Sequence, residues 1–121
     1  MSIEHVRVSE KAKQQLITLK RRTGIENWNI LCRWAFCISL AEKSVPPYEE
    51  INADSSIEMT WKVFAGENHR LYEALLRQRM YNDLQECDEN NLNYYFRLHL
   101  HRGISYLVNR VQSIDDLISE L

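Results

Sequence analysis

The sequence predicts a mainly α-helical fold with a minor two-stranded β ribbon, and three features of the chain support this prediction. The run Trp28–Ala41 is apolar at all but three positions and contains neither Gly nor Pro. It is too long for an ordinary strand and too short to span a bilayer, so it indicates a buried central helix. Helical periodicity covers most of the remaining chain. Apolar and polar residues alternate in two short segments, residues 3–8 and 57–64, which indicate the two strands.

The first half of the chain is predicted to contain a strand and two helices. Residues 3–8 are rich in β-branched side chains, and Ser9 then offers the oxygen typical of a helix N-cap. The helix that follows ends at Gly24, because glycine favours the left-handed conformation just after a last helical turn. Its inward stripe consists of Ala12, Leu16 and Leu19. The central helix ends near residues 42–43, and a long acidic loop follows over residues 49–56.

The second half begins with the strand predicted over residues 57–64. Helices are predicted next over residues 69–85 and 91–110, and a capping-box pattern at Ser113 opens a short last helix. The first of these helices is expected to turn inward Leu71, Tyr72, Leu75, Leu76 and Met80. The second is expected to turn inward Leu92, Phe96, Leu100, Gly103 and Leu107. A glycine inside a helix costs about 1 kcal/mol relative to alanine, so Gly103 indicates a close helix crossing.

The order of these elements predicts duplicated strand-helix-helix units, followed by a short C-terminal helix, in a single domain of residues 1–121. Residues 1–43 form a basic half, and residues 57–121 form an acidic half that includes the last helix. A lone strand cannot satisfy its hydrogen bonds, so the two strands are expected to pair as a ribbon. The residues leave open whether this pairing occurs within one chain or between two chains.

The net charge of −2 conceals a strong asymmetry between the two halves. Residues 1–43 hold eight Lys/Arg against four Asp/Glu, whereas residues 44–121 hold seven against thirteen. Screening confines electrostatic fields to about 8 Å at physiological salt, so the local charge matters more than the overall pI. The basic half can therefore attract an anionic partner such as DNA.

The sequence contains no pattern typical of a metal, cofactor or catalytic site. His99 and His101 lie two residues apart on a predicted helix, so their rings point about 200° apart and cannot share an ion. The three glycines form no phosphate-binding loop, and no nucleophile elbow is present. We therefore expect no enzymatic activity, no metal and no cofactor.

The three cysteines predict reduced thiols. Their number is odd, and the N-terminus lacks the pattern of a secretory signal, so we expect a cytoplasmic protein. Cys32 and Cys37 are expected to be core side chains, whereas Cys87 lies in a polar loop. No segment is long enough to suggest membrane association.

The remaining candidate site is a cationic face on the first strand and helix. Between Arg7 and Arg22 the only acid is Glu10, and the run ends where a new helix begins and offers free N–H groups. Residues 24–28 are therefore a predicted phosphate seat. The alternative is an ordinary solvated helix face without a partner. The candidate nucleic-acid-binding residues are Arg7, Lys11, Lys13, Lys20, Arg21, Arg22, Gly24 and Asn27.

A resemblance to a known family centres on residues 19–41, which read LKRRTGIENWNILCRWAFCISLA. This segment resembles the signature region of DndE, a small component of the bacterial DNA phosphorothioation system. The resemblance extends to VRVSEKAKQQL near the N-terminus and to LHLHRGISYL in the second half, so it covers most of the chain. It implies a non-catalytic accessory protein that engages double-stranded DNA and assembles with DndC- and DndD-like proteins. A basic strand-helix-helix unit also resembles ribbon-helix-helix DNA binders.

These patterns predict contact with the phosphate backbone more than readout of base sequence. Ile3, His5 and Arg7 on the first strand are a poor set of base readers. Backbone contact tolerates distortion, so a nicked or distorted duplex is expected to bind at least as well as an intact one.

Two alternatives to DNA binding remain, and the apolar last helix adds a prediction about assembly. The first alternative is a scaffold that binds proteins of the modification complex without contacting DNA, and the second is a carrier of sulfur as a cysteine persulfide.

The last helix is too short to be stable alone, so its apolar side chains must be buried on this chain or another. We therefore expect a homo-oligomer. The side chains concerned are Ile114, Leu117, Ile118 and Leu121.

Overall fold

Helices make up most of the computed structural model, which describes residues 3–121. Short 3₁₀ turns at Gly66–Asn68 and Glu89–Asn91 precede the two longest helices. The mainly α-helical fold with a two-stranded ribbon is confirmed. The elements are, in order, β1 (His5–Arg7), α1 (Glu10–Thr23), α2 (Trp28–Ala41), β2 (Glu58–Thr60), α3 (Trp61–Ala65), α4 (His69–Leu84), α5 (Leu92–Arg110) and α6 (Ile114–Ser119).

The two strands pair antiparallel within the one chain, which answers the question that the sequence left open. The register places His5 opposite Thr60, Val6 opposite Met59 and Arg7 opposite Glu58. Val6 is buried beneath the ribbon, whereas His5 and Arg7 point to solvent. The ribbon therefore needs no second chain to satisfy its hydrogen bonds.

The strand predicted over residues 57–64 is shorter than expected, because Thr60 starts a helix in its middle. The Thr60 hydroxyl accepts a hydrogen bond from the Val63 N–H at 3.2 Å, which is an N-cap for α3. Trp61 is buried, and its Nε1 donates to the His69 carbonyl at 3.2 Å. Val63, which the alternation pattern placed inward, is 52% exposed. Local capping therefore outweighs the alternation of apolar side chains after residue 60.

Helix α1 has the boundaries that the sequence predicts. The Ser9 hydroxyl accepts from the Ala12 N–H at 3.1 Å, and Gly24 ends the helix with φ = 76°. An L side chain rarely adopts this left-handed conformation, so the position favours glycine. The stripe of Ala12, Leu16 and Leu19 is buried as predicted. The helix is thus fixed on one side and leaves its other sides open to solvent.

Helices α2 and α5 cross at close range and form the centre of the molecule. Leu31, Cys32, Ala35 and Phe36 are buried on α2. A Cβ atom built on Gly103 of α5 would lie 1.7 Å from the Ala35 carbonyl oxygen. This contact confirms the close crossing that Gly103 predicted. The residues that the sequence assigned to the inward face of α5 are all buried: Leu92, Phe96, Leu100, Gly103 and Leu107.

Two arginines from other helices cover the C-terminal end of α2. Arg79 donates to the Leu40 and Glu42 carbonyls at 2.7 and 2.6 Å. Arg102 donates to the Ser39 carbonyl at 2.8 Å. The last carbonyls of a helix have no partner within the helix. A positive charge there also interacts favourably with the negative end of the helix dipole. These cations therefore stabilise the central helix and keep α4 and α5 in place around it.

His99 is a fully buried histidine held in its neutral form. Its Nδ1 lies 2.8 Å from the Ser39 hydroxyl, which itself accepts a hydrogen bond from Arg102 at 2.9 Å. Because the Ser39 oxygen accepts from Arg102, the Ser39 hydroxyl can donate its proton to His99 Nδ1. Burial, and then the charges of Arg79 and Arg102, lower the pKa of His99 to about 3. The core therefore excludes the charged imidazolium at any physiological pH.

We expect the free energy of unfolding to decrease as the pH falls from 7 to 5. The pKa of His99 is about 3 in the folded protein and returns to about 6.5 on unfolding. The unfolded chain therefore binds one more proton between these values, and stability rises with pH across that window. The limiting slope is about 1.4 kcal/mol per pH unit for one such histidine. Burial also lowers the pKa of His101, which adds to the slope in the same direction.

Urea unfolding at pH 7, 6 and 5 measures this slope. His99→Phe should reduce the slope by the contribution of one proton, whatever its effect on stability at pH 7. Asn109→Ala is the control, because Asn109 is exposed and carries no titratable group, so its replacement should leave the slope unchanged. An unchanged slope in the His99→Phe variant would refute the assignment.

Helix α4 buries fewer side chains than its sequence pattern predicts. Leu76 and Met80 are buried, four residues apart on one narrow stripe. Leu71 and Leu75, which were expected to point inward, are 56% and 42% exposed. The helix packs along one edge of the α2–α5 centre, so a second apolar stripe has no neighbour within the described part of the chain.

Helix α6 also leaves several apolar side chains exposed. The Ser113 hydroxyl accepts from the Asp116 N–H at 3.4 Å, as the capping pattern predicts. Only Leu117 of the four predicted inward side chains is buried on this chain. Ile114, Ile118 and Leu121 are 40%, 56% and 90% exposed.

Candidate nucleic-acid interface

A shallow pocket of about 430 Å³ lies where the end of α1 meets the start of α2. We call it the Lys20 pocket. It brings together Lys20 and Arg21 of the predicted cationic face with Gly24 of the predicted phosphate seat. Both cations are exposed, and neither forms an ion pair with another residue in the described range 3–121. The residues that line the pocket are Ile17, Lys20, Arg21, Gly24, Glu26 and Trp28.

Trp28 forms the α2 side of the Lys20 pocket, and Asn27, which precedes it, does not line the pocket. The Lys20 ammonium lies over the Trp28 ring, 5.1 Å from its centroid, which is a cation–π contact. Trp28 is half-buried and packs against the hydrophobic core, so the core holds the ring in place. Asn27 precedes α2 in an extended conformation, and its side chain makes no capping hydrogen bond. The positive end of the α2 dipole therefore adds to the positive charge of Lys20 and Arg21.

Arg22 points away from the pocket towards α5. Its Nη1 donates to the carbonyls of Val108 and Val111 at 2.8 and 3.2 Å. These carbonyls lie at the C-terminal end of α5, where a helix lacks internal partners. Arg22 therefore joins the ends of α1 and α5, and the structure does not place it with Lys20 and Arg21.

Arg7 and Lys13 lie near the ribbon and have partners there. Arg7 pairs with Glu58 on the opposite strand, and its hydrogen bond lowers the pKa of that carboxyl. Lys13 donates to the Ser56 hydroxyl at 2.8 Å. Both remain accessible to solvent in part, but they line neither side of the Lys20 pocket.

Lys11 lies in a second, larger groove of about 610 Å³ between α1, residues 46–54 and α5. We call it the acidic groove. His101 is buried at its floor, where Nε2 accepts from the Ser9 N–H at 3.1 Å and Nδ1 donates to the Arg97 carbonyl at 2.8 Å. The carboxylates that line the groove are Glu10, Glu49, Glu50 and Asp54. The predicted cationic face is therefore divided among the Lys20 pocket, the ribbon, the end of α5 and the acidic groove.

The cysteines lie apart from the Lys20 pocket, and one of them differs from its sequence prediction. Burial raises the pKa of Cys32 to about 12, which fits the predicted core residue. Cys37 was expected in the core but is exposed, because it lies on the side of α2 opposite Ser39 and the α5 crossing. Desolvation still raises the pKa of its thiol. Cys87 is exposed, as its loop position predicts. Neither α2 thiol therefore has the lowered pKa of a reactive cysteine.

The described range 3–121 also lacks a metal-binding cluster and a membrane-spanning helix. The described side chains contain no group of three or more His, Cys, Asp or Glu residues placed to hold a metal ion. None of the helices described in that range is long and apolar enough to cross a membrane.

Sequence reasoning missed Ile17 of the Lys20 pocket, and it placed Glu26 and Trp28 within the predicted phosphate seat at residues 24–28 without naming them as binding residues. Trp28 was assigned to the core helix because its neighbours are apolar. A tryptophan at the first position of a helix, four residues after a glycine that ends a lysine-rich helix, is the signal that could have identified it. The glycine reverses the chain and brings the two helix ends together.

Comparison with known proteins gives one family and several structures. Residues 5–115 match the family described as DndE, DNA sulphur modification protein. A crystal structure of DndE from Escherichia coli B7A, involved in DNA phosphorothioation modification, is similar with a TM-score of 0.72 and 26% identity, covering 88% of this chain and 98% of that one. A DndE mutant structure shares the fold with a TM-score of 0.67 and 23% identity, covering 88% and 97% of the two chains. No curated protein sequence matches the chain. The family match covers most of the sequence, and the chain therefore belongs to the DndE family of DNA sulphur modification proteins.

Proposed function

We propose that this chain is a non-catalytic, cytoplasmic accessory protein of a DNA phosphorothioation system, and that it holds double-stranded DNA through phosphate groups at the Lys20 pocket. The observation that supports the proposal is the pair of exposed cations, Lys20 and Arg21, without carboxylate partners in the described chain. The uncapped start of α2 adds backbone N–H donors beside them. Such contacts position a protein on DNA without reading its sequence.

The proposal includes a homo-oligomer that presents several Lys20 pockets to one DNA molecule. The exposed apolar side chains of α6 support it, since Ile118 and Leu121 are 56% and 90% exposed. Two cations per chain give weak binding, and linked copies raise the apparent affinity because later contacts form within one complex. The partners proposed for this assembly are DndC- and DndD-like proteins of the same modification system.

Titration of a fluorescent 30-base-pair duplex tests the DNA-binding role directly. We expect saturable binding at low salt, with the same affinity within about threefold for two unrelated sequences. A duplex with a single nick should bind at least as well as the intact duplex, because phosphate contacts tolerate bending at the break. The absence of binding at 50 mM salt, or a strong sequence preference, would contradict the proposal.

The second candidate function is a scaffold that binds partner proteins without contacting DNA. The observation that favours it is the acidic groove, where Glu49, Glu50 and Asp54 face the solvent beside an apolar wall of Leu98 and Ile51. Retention on heparin discriminates between the two functions, because a scaffold without a working cationic site should pass through the column unretarded.

A further inference from the structure

We infer that the Lys20 pocket holds one unpaired nucleotide, with its base stacked on Trp28 and its phosphate next to Lys20 and Arg21. This inference rests on the proposed function and makes its ligand more specific. Phosphate contact alone requires exposed cations. It does not require an indole, and it gives no reason for a pocket with an apolar wall.

The pocket combines apolar and cationic side chains in one space. Ile17 and Trp28 contribute apolar surface, whereas Lys20 and Arg21 contribute positive charge. A nucleotide has the same division, because its base has an apolar face and its phosphate is anionic. Aromatic side chains beside cationic grooves bind single-stranded nucleic acid in this way, and every base can stack.

Glu26 supports a base rather than a second phosphate in this pocket. Its carboxylate lines the same space, and a phosphate placed next to it would be repelled. The amino groups of cytosine, adenine and guanine can donate to a carboxylate, as cytosine does in known protein–DNA contacts. The acid therefore favours the neutral, donor-bearing part of a nucleotide next to it.

The Trp28 ring is held in place before any ligand binds. It packs against the hydrophobic core, so stacking costs little side-chain entropy. Lys20 covers the ring with its ammonium 5.1 Å from the centroid. An exposed cation–π contact is weaker than base–aromatic stacking, so an arriving base can displace the lysine towards the phosphate.

An unpaired nucleotide is required because a base within an intact duplex has both faces covered by its neighbours. Gaps, single strands and frayed ends at a break offer such a base without the cost of unstacking it. We therefore expect the protein to bind a gapped duplex more tightly than an intact one, and Trp28 to account for the difference.

Trp28→Ala and Trp28→Phe test the inference, with an intact duplex, a duplex with a one-nucleotide gap and a 12-nucleotide single strand as ligands. Trp28→Ala should lower the affinity for the gapped and single-stranded ligands about tenfold, in the range given by loss of one stacked base. Its affinity for the intact duplex should fall by much less, so that the ratio of the gapped-duplex to the intact-duplex affinity decreases. Trp28→Phe should keep most of the affinity for all three ligands, because phenylalanine also stacks. Circular dichroism melting of each variant verifies that it is folded.

The outcomes separate this inference from the proposed function. If the wild-type protein binds none of the three ligands, the proposed function fails. If it binds all three and Trp28→Ala has no selective effect, or weakens the intact duplex equally, the nucleotide pocket is wrong while phosphate contact stands. Quenching of tryptophan fluorescence by the single strand in the wild type, and its loss in Trp28→Phe, is the direct sign of stacking. Trp34 and Trp61 provide the unchanged background emission.

Discussion

Gly103→Ala is expected to destabilise the protein by at least about 3 kcal/mol, or to prevent folding. At an ordinary helix position this change stabilises by about 1 kcal/mol, because alanine has the higher helix propensity. Here the added Cβ would lie 1.7 Å from the backbone oxygen of Ala35. A backbone atom cannot rotate aside, so α2 and α5 must separate. The steric cost therefore exceeds the gain in propensity, and the sign of the effect is reversed.

Asn109→Ala is the matched control for Gly103→Ala. Asn109 is exposed on the same helix, so its replacement should change the free energy of unfolding by less than about 0.5 kcal/mol. Urea unfolding followed by circular dichroism compares the two variants with the wild type. A Gly103→Ala variant as stable as the wild type would show that α2 and α5 do not cross at this point.

Lys20→Glu with Arg21→Glu is expected to weaken binding to duplex DNA about 100-fold at moderate salt. Each lost charged contact is worth about 1.5 kcal/mol, which is roughly a factor of ten in affinity. The loss should be the same for unrelated sequences, because phosphate contacts carry no sequence information. Both side chains are exposed, so the helical signal should be kept, whereas the melting temperature should fall slightly because the last turn of α1 loses its favourable cations.

Lys62→Glu with Arg70→Glu is the control of equal charge. Both residues are exposed in the acidic half and line neither pocket, and the change in net charge is the same as in the first double variant. We expect its affinity for DNA to fall by less than threefold. Equal losses in the two double variants would indicate a general charge effect in place of a defined site.

The sequence predicts the local parts of the fold well, because each depends on residues close together in the chain. Ser9 and Gly24 mark the ends of α1 through hydrogen bonds and backbone conformation within a few residues. The prediction of the end of β2 was wrong for an equally local reason, since Thr60 can either continue a strand or cap a helix. The alternation of apolar residues favours a strand, but the hydrogen bond from the Val63 N–H to the Thr60 hydroxyl starts a helix.

Long-range contacts account for what the sequence could not predict about the site. Arg22 looks equivalent to Lys20 and Arg21 in the sequence, but it binds carbonyls 86 and 89 residues away. No local pattern indicates that partner. Leu71 and Leu75 likewise follow a helical apolar pattern, but α4 has no neighbour on that side in the described part of the chain. The position of Trp28 beside Lys20 depends on a turn at Gly24, which the sequence did indicate.

The salt dependence of duplex binding tests most directly the claim that the Lys20 pocket contacts phosphates. The affinity of the wild type for one duplex is measured between 50 and 200 mM salt, together with both double variants. On duplex DNA each phosphate contact contributes about 0.9 to the slope of log affinity against log salt concentration. We expect Lys20→Glu with Arg21→Glu to have a slope shallower by about 2 for each chain engaged, and Lys62→Glu with Arg70→Glu to keep the wild-type slope. Identical slopes for the wild type and the Lys20→Glu, Arg21→Glu variant would contradict phosphate contact at this pocket.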